Sequence, residues 1–494
     1  MYQSVFVAVT VWWFLGAVPP PEQAVSFPDT PAAKQLQDWL DVFARGDQDE
    51  YVRFIRERYG STPLGQNTAI NLADGQARRY MDTHGLIPKE IDESSPTKIT
   101  VSAQAQLTDL WFRVSMTVEP EPPYRIEEYS TSRIRPRGTL RPLATDELCS
   151  KIEAFMAKLV AADAFSGVLL VTKGDQRVFL GVYGQASKAY DARNREDTRF
   201  NIASVGKTFT ATSVMQLVES GKLSLDDPVG KFLPDYPNAD VRNRVTVCHL
   251  LTHTSGLGDY HGPKYILKQT ALRKPLDYLP LIQDSMLEFE PGARMRYSNA
   301  GYLLLGIIIE KTSAEDYYDY VRRHIFEPAG MIDTGFFEAD MDTPNLATGY
   351  TNFLDLGEDY QEFHLGVRRN TEFAIKGNSQ GGAFTTAEDL LRFSAAFRAA
   401  QLVSGKAVEL MTTPKYFFRK YSSEDIWYGF GFELENIDGK RVIGHGGGDL
   451  GISSGVRWYP DSGDYTVVVL SNYDRGGIIA IDRVQELIVL GTRD

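Results

Sequence analysis

A hydroxyl attacks a carbonyl carbon at neutral pH only when a base takes its proton, and a lysine can be that base only while uncharged. Ser204 and Lys207, in the stretch NIASVGKTFT (201–210), stand three residues apart. On a helix that spacing puts both side chains on one face, where Lys207 reaches back to Ser204. From a reference value near 10.4 the lysine pKa must fall by roughly three units, about 4 kcal/mol, which burial and neighbouring groups have to supply. The competing reading is a cap hydroxyl followed by a surface lysine. The spacing alone does not decide, because Ser95 and Lys98 share it; there Pro96 opens a segment heading into a strand, so the two side chains need not face one another.

Company in the right order favours Ser204. Tyr297-Ser298-Asn299 stands in a loop before a strongly apolar stretch. A tyrosine there can relay a proton to or from a leaving group, and Asn299 can hold the lysine or the substrate. Further on, His445-Gly446-Gly447-Gly448 closes a strand-like run, and glycines let a backbone N–H come close to a carbonyl oxygen, as an oxyanion hole requires.

Other matches fail on context. GNSQG (377–381) and GISSG (451–455) fit the GxSxG pattern, which needs a strand before it and a helix after it. The first precedes a Gly-rich run and the second continues as strand. Tyr236-Pro-Asn238 and Tyr350-Thr-Asn352 repeat the Tyr-x-Asn spacing without a buried helix behind them. His249 and His253 sit four apart but lack a third ligand, and Cys149 and Cys248 are the only cysteines, so no metal, cofactor or disulfide framework is expected.

The elements that must position these residues follow from periodicity. Ala211, Val214, Met215 and Val218 predict a helix behind Lys207 that stops at Ser220-Gly221-Lys222, with its positive dipole end facing the reaction. Residues 165–184 predict a hairpin of buried strands around Lys173-Gly-Asp-Gln176, residues 465–472 another buried strand, and Ile481, Val484, Leu487 and Ile488 a closing helix. Strands from both ends of a region around a helical middle imply one sheet assembled from distant sequence. Ahead of it, Leu36, Trp39, Leu40 and Phe43 mark one helix, and Val52, Ile55 and Tyr59 a second ending at Gly60. Alternation through Ile99–Ala105 and Leu110–Val118, then a strand through Ile126, marks a small antiparallel sheet.

At 494 residues the chain exceeds what one core fills, so more than one domain is expected. The boundaries read as a signal-like or disordered segment over 1–27, a small α+β unit over 28–132, a basic Pro-rich linker over 133–144 and a larger unit over 145–494. The net charge of −13 argues against a nucleic-acid backbone or an anionic membrane surface as partner. The apolar run Val5–Val18 is too short to span a bilayer, so no stable membrane insertion is expected. It has the core of a secretory signal without a basic residue before it, which points to a secreted or periplasmic protein, with the cytoplasm as the alternative.

Four segments together carry a resemblance: SVGKTFTATSVMQLVESGKLSLDDPV, VTVCHLLTHTSGL, EPGARMRYSNAGYLLLGIIIE and GGAFTTAEDLLRF. Residues from about 145 to 494 resemble the serine β-lactamase-like hydrolases that include class C β-lactamases, DD-peptidases and family VIII esterases. The resemblance implies an α+β fold in which an antiparallel sheet is flanked by helices and joined by a helical subdomain. It also implies Ser204 as acylated nucleophile, Lys207 as proton acceptor, Tyr297 as general base and acid, and Asn299 as a substrate-positioning group. The N–H groups of Ser204 and Gly448 would form the oxyanion hole, and His253 would be structural. Where penicillin-directed members carry Lys-Thr/Ser-Gly, this chain has His445-Gly446-Gly447, so a fixed cation is replaced by a group mostly neutral at pH 7. That shifts the expectation toward a carboxylesterase on small acyl esters. A D-amino-acid peptidase or amidase, a weak β-lactamase and a catalytically silent binding module are the alternatives. The implied partner is a small ester or peptide substrate, and homo-oligomerisation is left open. The N-terminal unit resembles NTF2-like folds in its element order, and a structural or interface role is expected of it.

Overall fold

The computed structural model describes residues 25–59, 66–136, 140–355, 361–370, 374–421 and 424–491. The apolar run Val5–Val18 and Gly60 lie outside them. Among the described residues no helix is long and apolar enough to cross a membrane.

The first unit begins with the helix Pro31–Phe43, whose N-cap Thr30 accepts from the Ala33 N–H and whose first position is proline. The helix Gln48–Arg58 follows, capped by Asp47, with acidic residues in its first turn and Arg56 and Arg58 in its last. A third helix, Gln66–Thr83, precedes an antiparallel meander of Leu86–Ser94, Lys98–Ala105, Trp111–Val118 and Ile126–Ile134. The alternating residues Val101 and Ala103 pair with Val114 and Phe112, and this face packs on Trp39, Phe43 and Tyr51. The pattern predicted two helices and the last three strands; it missed the third helix and the first strand. Leu86–Ser94 is an edge strand with Pro88, four charged residues and two register shifts, so it lacks clean alternation.

Arg133 and Ile134, expected in the linker, close the last strand of the meander. Arg133 pairs with Asp482 at 3.2 Å and Glu486 at 3.4 Å, and Arg135 donates to Glu424 at 2.9 Å. Arg475 reaches back to Asp82 with two bonds of 2.7 and 2.8 Å. Phe353 is buried in the first unit's core, and Leu450 packs against the same cluster.

The larger unit is an eight-stranded antiparallel sheet. Its order is Tyr416–Tyr421, Glu424–Tyr428, Glu433–Ile437, Lys440–Asp449, Ile452–Tyr459, Tyr465–Ser471, Gly167–Lys173, Gln176–Tyr183, so the N-terminal hairpin completes a sheet built mostly from the C-terminal region. The helices Thr145–Ala161 and Gly476–Val489 contribute to an apolar cluster with Leu169, Val171, Val467 and Val469. Val168, Leu170, Val468 and Leu470, alternate residues of the same strands, pack with the helices Lys207–Glu219, Asn299–Ser313 and Ala387–Arg398. That second layer holds the site.

Candidate active site

Ser204 lies on a tight turn held from three directions. The short strand Phe200–Asn201 pairs with Phe384–Thr385, Asn201 Oδ1 accepts from the Ala203 N–H at 2.8 Å, and Ala203 takes a left-handed backbone with φ of 40°. A 3₁₀ turn over Ala203–Gly206 then feeds the helix Lys207–Glu219. This helix is buried from Lys207 through Met215, and its threonines and serine survive burial by bonding backbone carbonyls. Thr208 donates to Val205, Thr210 to Ser379, Thr212 to Thr208 and Ser213 to Phe209.

Two glycines allow other backbones to reach this turn. A Cβ on Gly447 would stand 2.1 Å from the Ile202 carbonyl oxygen, and one on Gly381 would stand 2.3 Å from that of Ala203. The strand Lys440–Asp449 therefore runs against the turn, with Gly448 one residue further along.

Lys207 has no exposed surface, and Nζ lies 3.0 Å from Ser204 Oγ, 2.8 Å from Asn299 Oδ1 and 2.6 Å from the Gln380 carbonyl oxygen. Burial lowers its pKa to about 7 against a smaller upward pull from Asp259. A neutral amine has two N–H donors and one lone pair. The two carbonyl oxygens accept those donors, which leaves the lone pair for the Ser204 hydroxyl.

Tyr297 bonds Ser204 through its phenol, and burial holds that phenol well above its ordinary pKa. Its ring stacks on His253 at 4.2 Å and meets Lys207 Nζ at 4.8 Å from its centroid. Ser298 caps the helix Asn299–Ser313: its hydroxyl accepts from the Gly301 N–H at 3.1 Å and donates to the Gly258 carbonyl at 2.9 Å. His253 Nδ1 accepts from the Ser298 N–H at 3.1 Å. Asn299 Nδ2 donates to Asp259 Oδ2 at 2.9 Å, and His261 Nδ1 lies 3.2 Å from Asp259 Oδ1.

His445 is buried, and both ring nitrogens are committed. Nδ1 lies 2.6 Å from the Gly446 carbonyl, which can only accept, so the proton is there; Nε2 accepts from the Tyr428 hydroxyl at 3.0 Å. Burial pushes its pKa down to about 4, so the ring is uncharged at neutral pH.

Ser204, Lys207, Tyr297 and Asn299 thus converge on one point, with the strand carrying His445, Gly446, Gly447 and Gly448 beside it. Sequence reasoning missed Asp259, Tyr428 and Gln380; Gln380 acts through its carbonyl, which no side-chain pattern can signal. The rejected serines stand apart from this cluster. Ser379 is fully buried, the Ser453 hydroxyl accepts from the Ile478 N–H at 2.9 Å, and Ser454 donates to the Ile202 carbonyl at 2.8 Å. Lys98 Nζ pairs with Glu93 at 2.8 Å, and His249 serves in a capping box with Thr246. Among the described residues no group of three His, Cys, Asp or Glu side chains could hold a metal.

A model of the beta-lactamase family matches residues 151–487. Penicillin-binding protein 4* of Bacillus subtilis (strain 168) is 31% identical over 322 residues, 62% of this chain and 68% of that protein. Esterase EstB of Burkholderia gladioli is 33% identical over 186 residues, 35% of this chain and 47% of that protein. The crystal structure of a D-stereospecific amidohydrolase from Streptomyces sp. superposes with a TM-score of 0.55 at 27% identity, covering 68% of this chain and 97% of that one.

Proposed function

Because this chain belongs to the beta-lactamase family of serine hydrolases, we propose that it is a carboxylesterase for small acyl esters working through an acyl-enzyme on Ser204. Lys207, roughly half uncharged at pH 7, takes the Ser204 proton as the oxygen attacks the ester carbonyl. The oxyanion is received by the N–H groups of Ser204 and Gly448. Tyr297, protonated in the resting site, returns a proton to the departing alkoxide and later takes one from the hydrolytic water. Asn299 and the Gln380 carbonyl keep the Lys207 lone pair turned toward Ser204.

The preference for esters is carried by one observation, the buried uncharged His445 with both nitrogens already bonded. It offers no cation for the carboxylate of a β-lactam or a peptide terminus, whereas a neutral ester needs none. Hydrolysis of D-amino-acid amides is the second reading, favoured by the likeness to the Streptomyces amidohydrolase.

The test is intact-mass analysis after a serine-directed phosphonate, beside rates on a p-nitrophenyl ester, a D-Ala-D-Ala peptide and a cephalosporin. The expected result is one adduct on Ser204 and the largest kcat/KM for the ester. An adduct on another serine refutes the site, and faster turnover of the D-peptide replaces the substrate reading.

A further inference from the structure

Resting on that acyl-enzyme reading, we infer that Asp259 is a positioning residue for the reaction: its carboxylate fixes the Asn299 amide so that Oδ1 and not Nδ2 faces Lys207. An asparagine amide presents an acceptor on one side and donors on the other, and a half-turn of the side chain exchanges them. A carboxylate accepts hydrogen bonds and cannot donate one, so Asp259 Oδ2, 2.9 Å from Nδ2, pays for only one orientation. In that orientation Oδ1 lies 2.8 Å from Lys207 Nζ and accepts one of its hydrogens. In the other, Nδ2 would point a hydrogen at the lone pair that has to receive the Ser204 proton, and the base would be quenched. The line Asp259, Asn299, Lys207, Ser204 is continuous at 2.9, 2.8 and 3.0 Å.

Asp259 is held in turn by His261, whose Nδ1 stands 3.2 Å from Oδ1, and by the adjoining Tyr260 N–H, which donates to Oδ1 at 2.8 Å. These bonds leave the carboxylate below its ordinary pKa despite burial, so it stays charged where the enzyme works. The groups facing Lys207 are the rings of Tyr297 and Tyr302, at 4.8 and 5.5 Å from Nζ, the imidazoles of His253, His445 and His261, and Asp259. The His253 and His445 imidazoles are uncharged at neutral pH and both phenols are protonated, whereas burial of His261 is outweighed by its bond to Asp259, which raises its pKa. Asp259 is therefore the one anion in this set, and its sign favours the ammonium.

The experiment compares Asp259→Asn, Asp259→Ala and His261→Asn with the parent enzyme on the p-nitrophenyl ester from pH 5 to 9. Asp259→Asn keeps an acceptor for Nδ2 and loses the charge. Its kcat stays within severalfold of the parent while the acid limb of kcat/KM moves to lower pH by about 0.5–1 unit. Asp259→Ala loses the acceptor as well, and kcat falls by about tenfold or more with KM little changed. A limb that stays in place in Asp259→Asn, or that moves only in His261→Asn, overturns the inference. Equal kcat in Asp259→Ala and Asp259→Asn does so too. Phosphonate labelling of Ser204 in every variant separates this failure from failure of the acyl-enzyme reading itself.

Discussion

Lys207→Met removes the proposed base and changes how the stability of the protein depends on pH. The lysine is fully buried, and its pKa falls from 10.5 in a free chain to about 7 in the fold. Between those two values the unfolded chain holds a proton that the native state has released. The penalty for burying the ammonium is therefore complete below about pH 7 and is relieved as the pH climbs toward 10.5. Linkage over that window makes the parent gain ~2.5 kcal/mol of stability between pH 6 and pH 9 from this group alone. Methionine has no proton to bind, so the variant lacks that gain. It also strands the Asn299 and Gln380 carbonyl oxygens, at about 1–3 kcal/mol each, so the sign of the difference at one pH decides nothing and the slope decides. Urea unfolding of both proteins at pH 6, 7.5 and 9 measures it: the variant's stability relative to the parent should fall by ~2.5 kcal/mol across the series. A difference that is flat with pH would show that Lys207 enters the fold with an ordinary pKa, and the general-base argument would fall with it.

Two further substitutions probe the strand beside Ser204. His445→Lys places a cation where the uncharged imidazole sits, so cephalosporin turnover should rise at least severalfold relative to ester turnover; an unchanged ratio removes His445 as the reason for the substrate preference. Gly447→Ala drives a methyl group to 2.1 Å from the Ile202 carbonyl, so the strand must retreat from the turn. Its kcat on the ester should drop by about a hundredfold, as for a lost oxyanion donor, with phosphonate labelling of Ser204 slowed in parallel; parent-like rates would mean that the strand contributes no N–H to the reaction.

The parts of the site visible in the sequence were those in which a side chain acts at a fixed local spacing. Ser204 and Lys207 are one helical turn apart, and Tyr297 and Asn299 flank the cap of a helix whose apolar run is unmistakable. Strands such as Tyr465–Ser471 are buried on every residue and read as continuous apolar runs. What stayed hidden works across long separations or through the backbone. Gln380 offers a carbonyl, Asp259 sits in a loop whose path no periodicity constrains, and Tyr428 meets His445 only because two strands pair through a third. The stretch 133–144 reads as a linker for its charge and prolines. Arg133 and Arg135 are there because Asp482, Glu486, Glu424 and Asp438 lie opposite them.

Leu450 follows the strand that carries Gly448 and packs against the apolar core of the N-terminal unit, to which Phe353 also belongs, while Asn370 donates to its carbonyl at 2.8 Å. The strand beside Ser204 is thus held at its tip by a unit that contains none of Ser204, Lys207, Tyr297 and Asn299. Trimming the chain to the family-matched region would take away the apolar core under Leu450 and leave Asp482 and Glu486 without Arg133, while the Asn370 bond to Leu450 stays, so the first unit is expected to act as a mechanical support. Variation in that unit, far from Ser204 in sequence, would then be a route by which rate is tuned without altering any group at the Ser204 site.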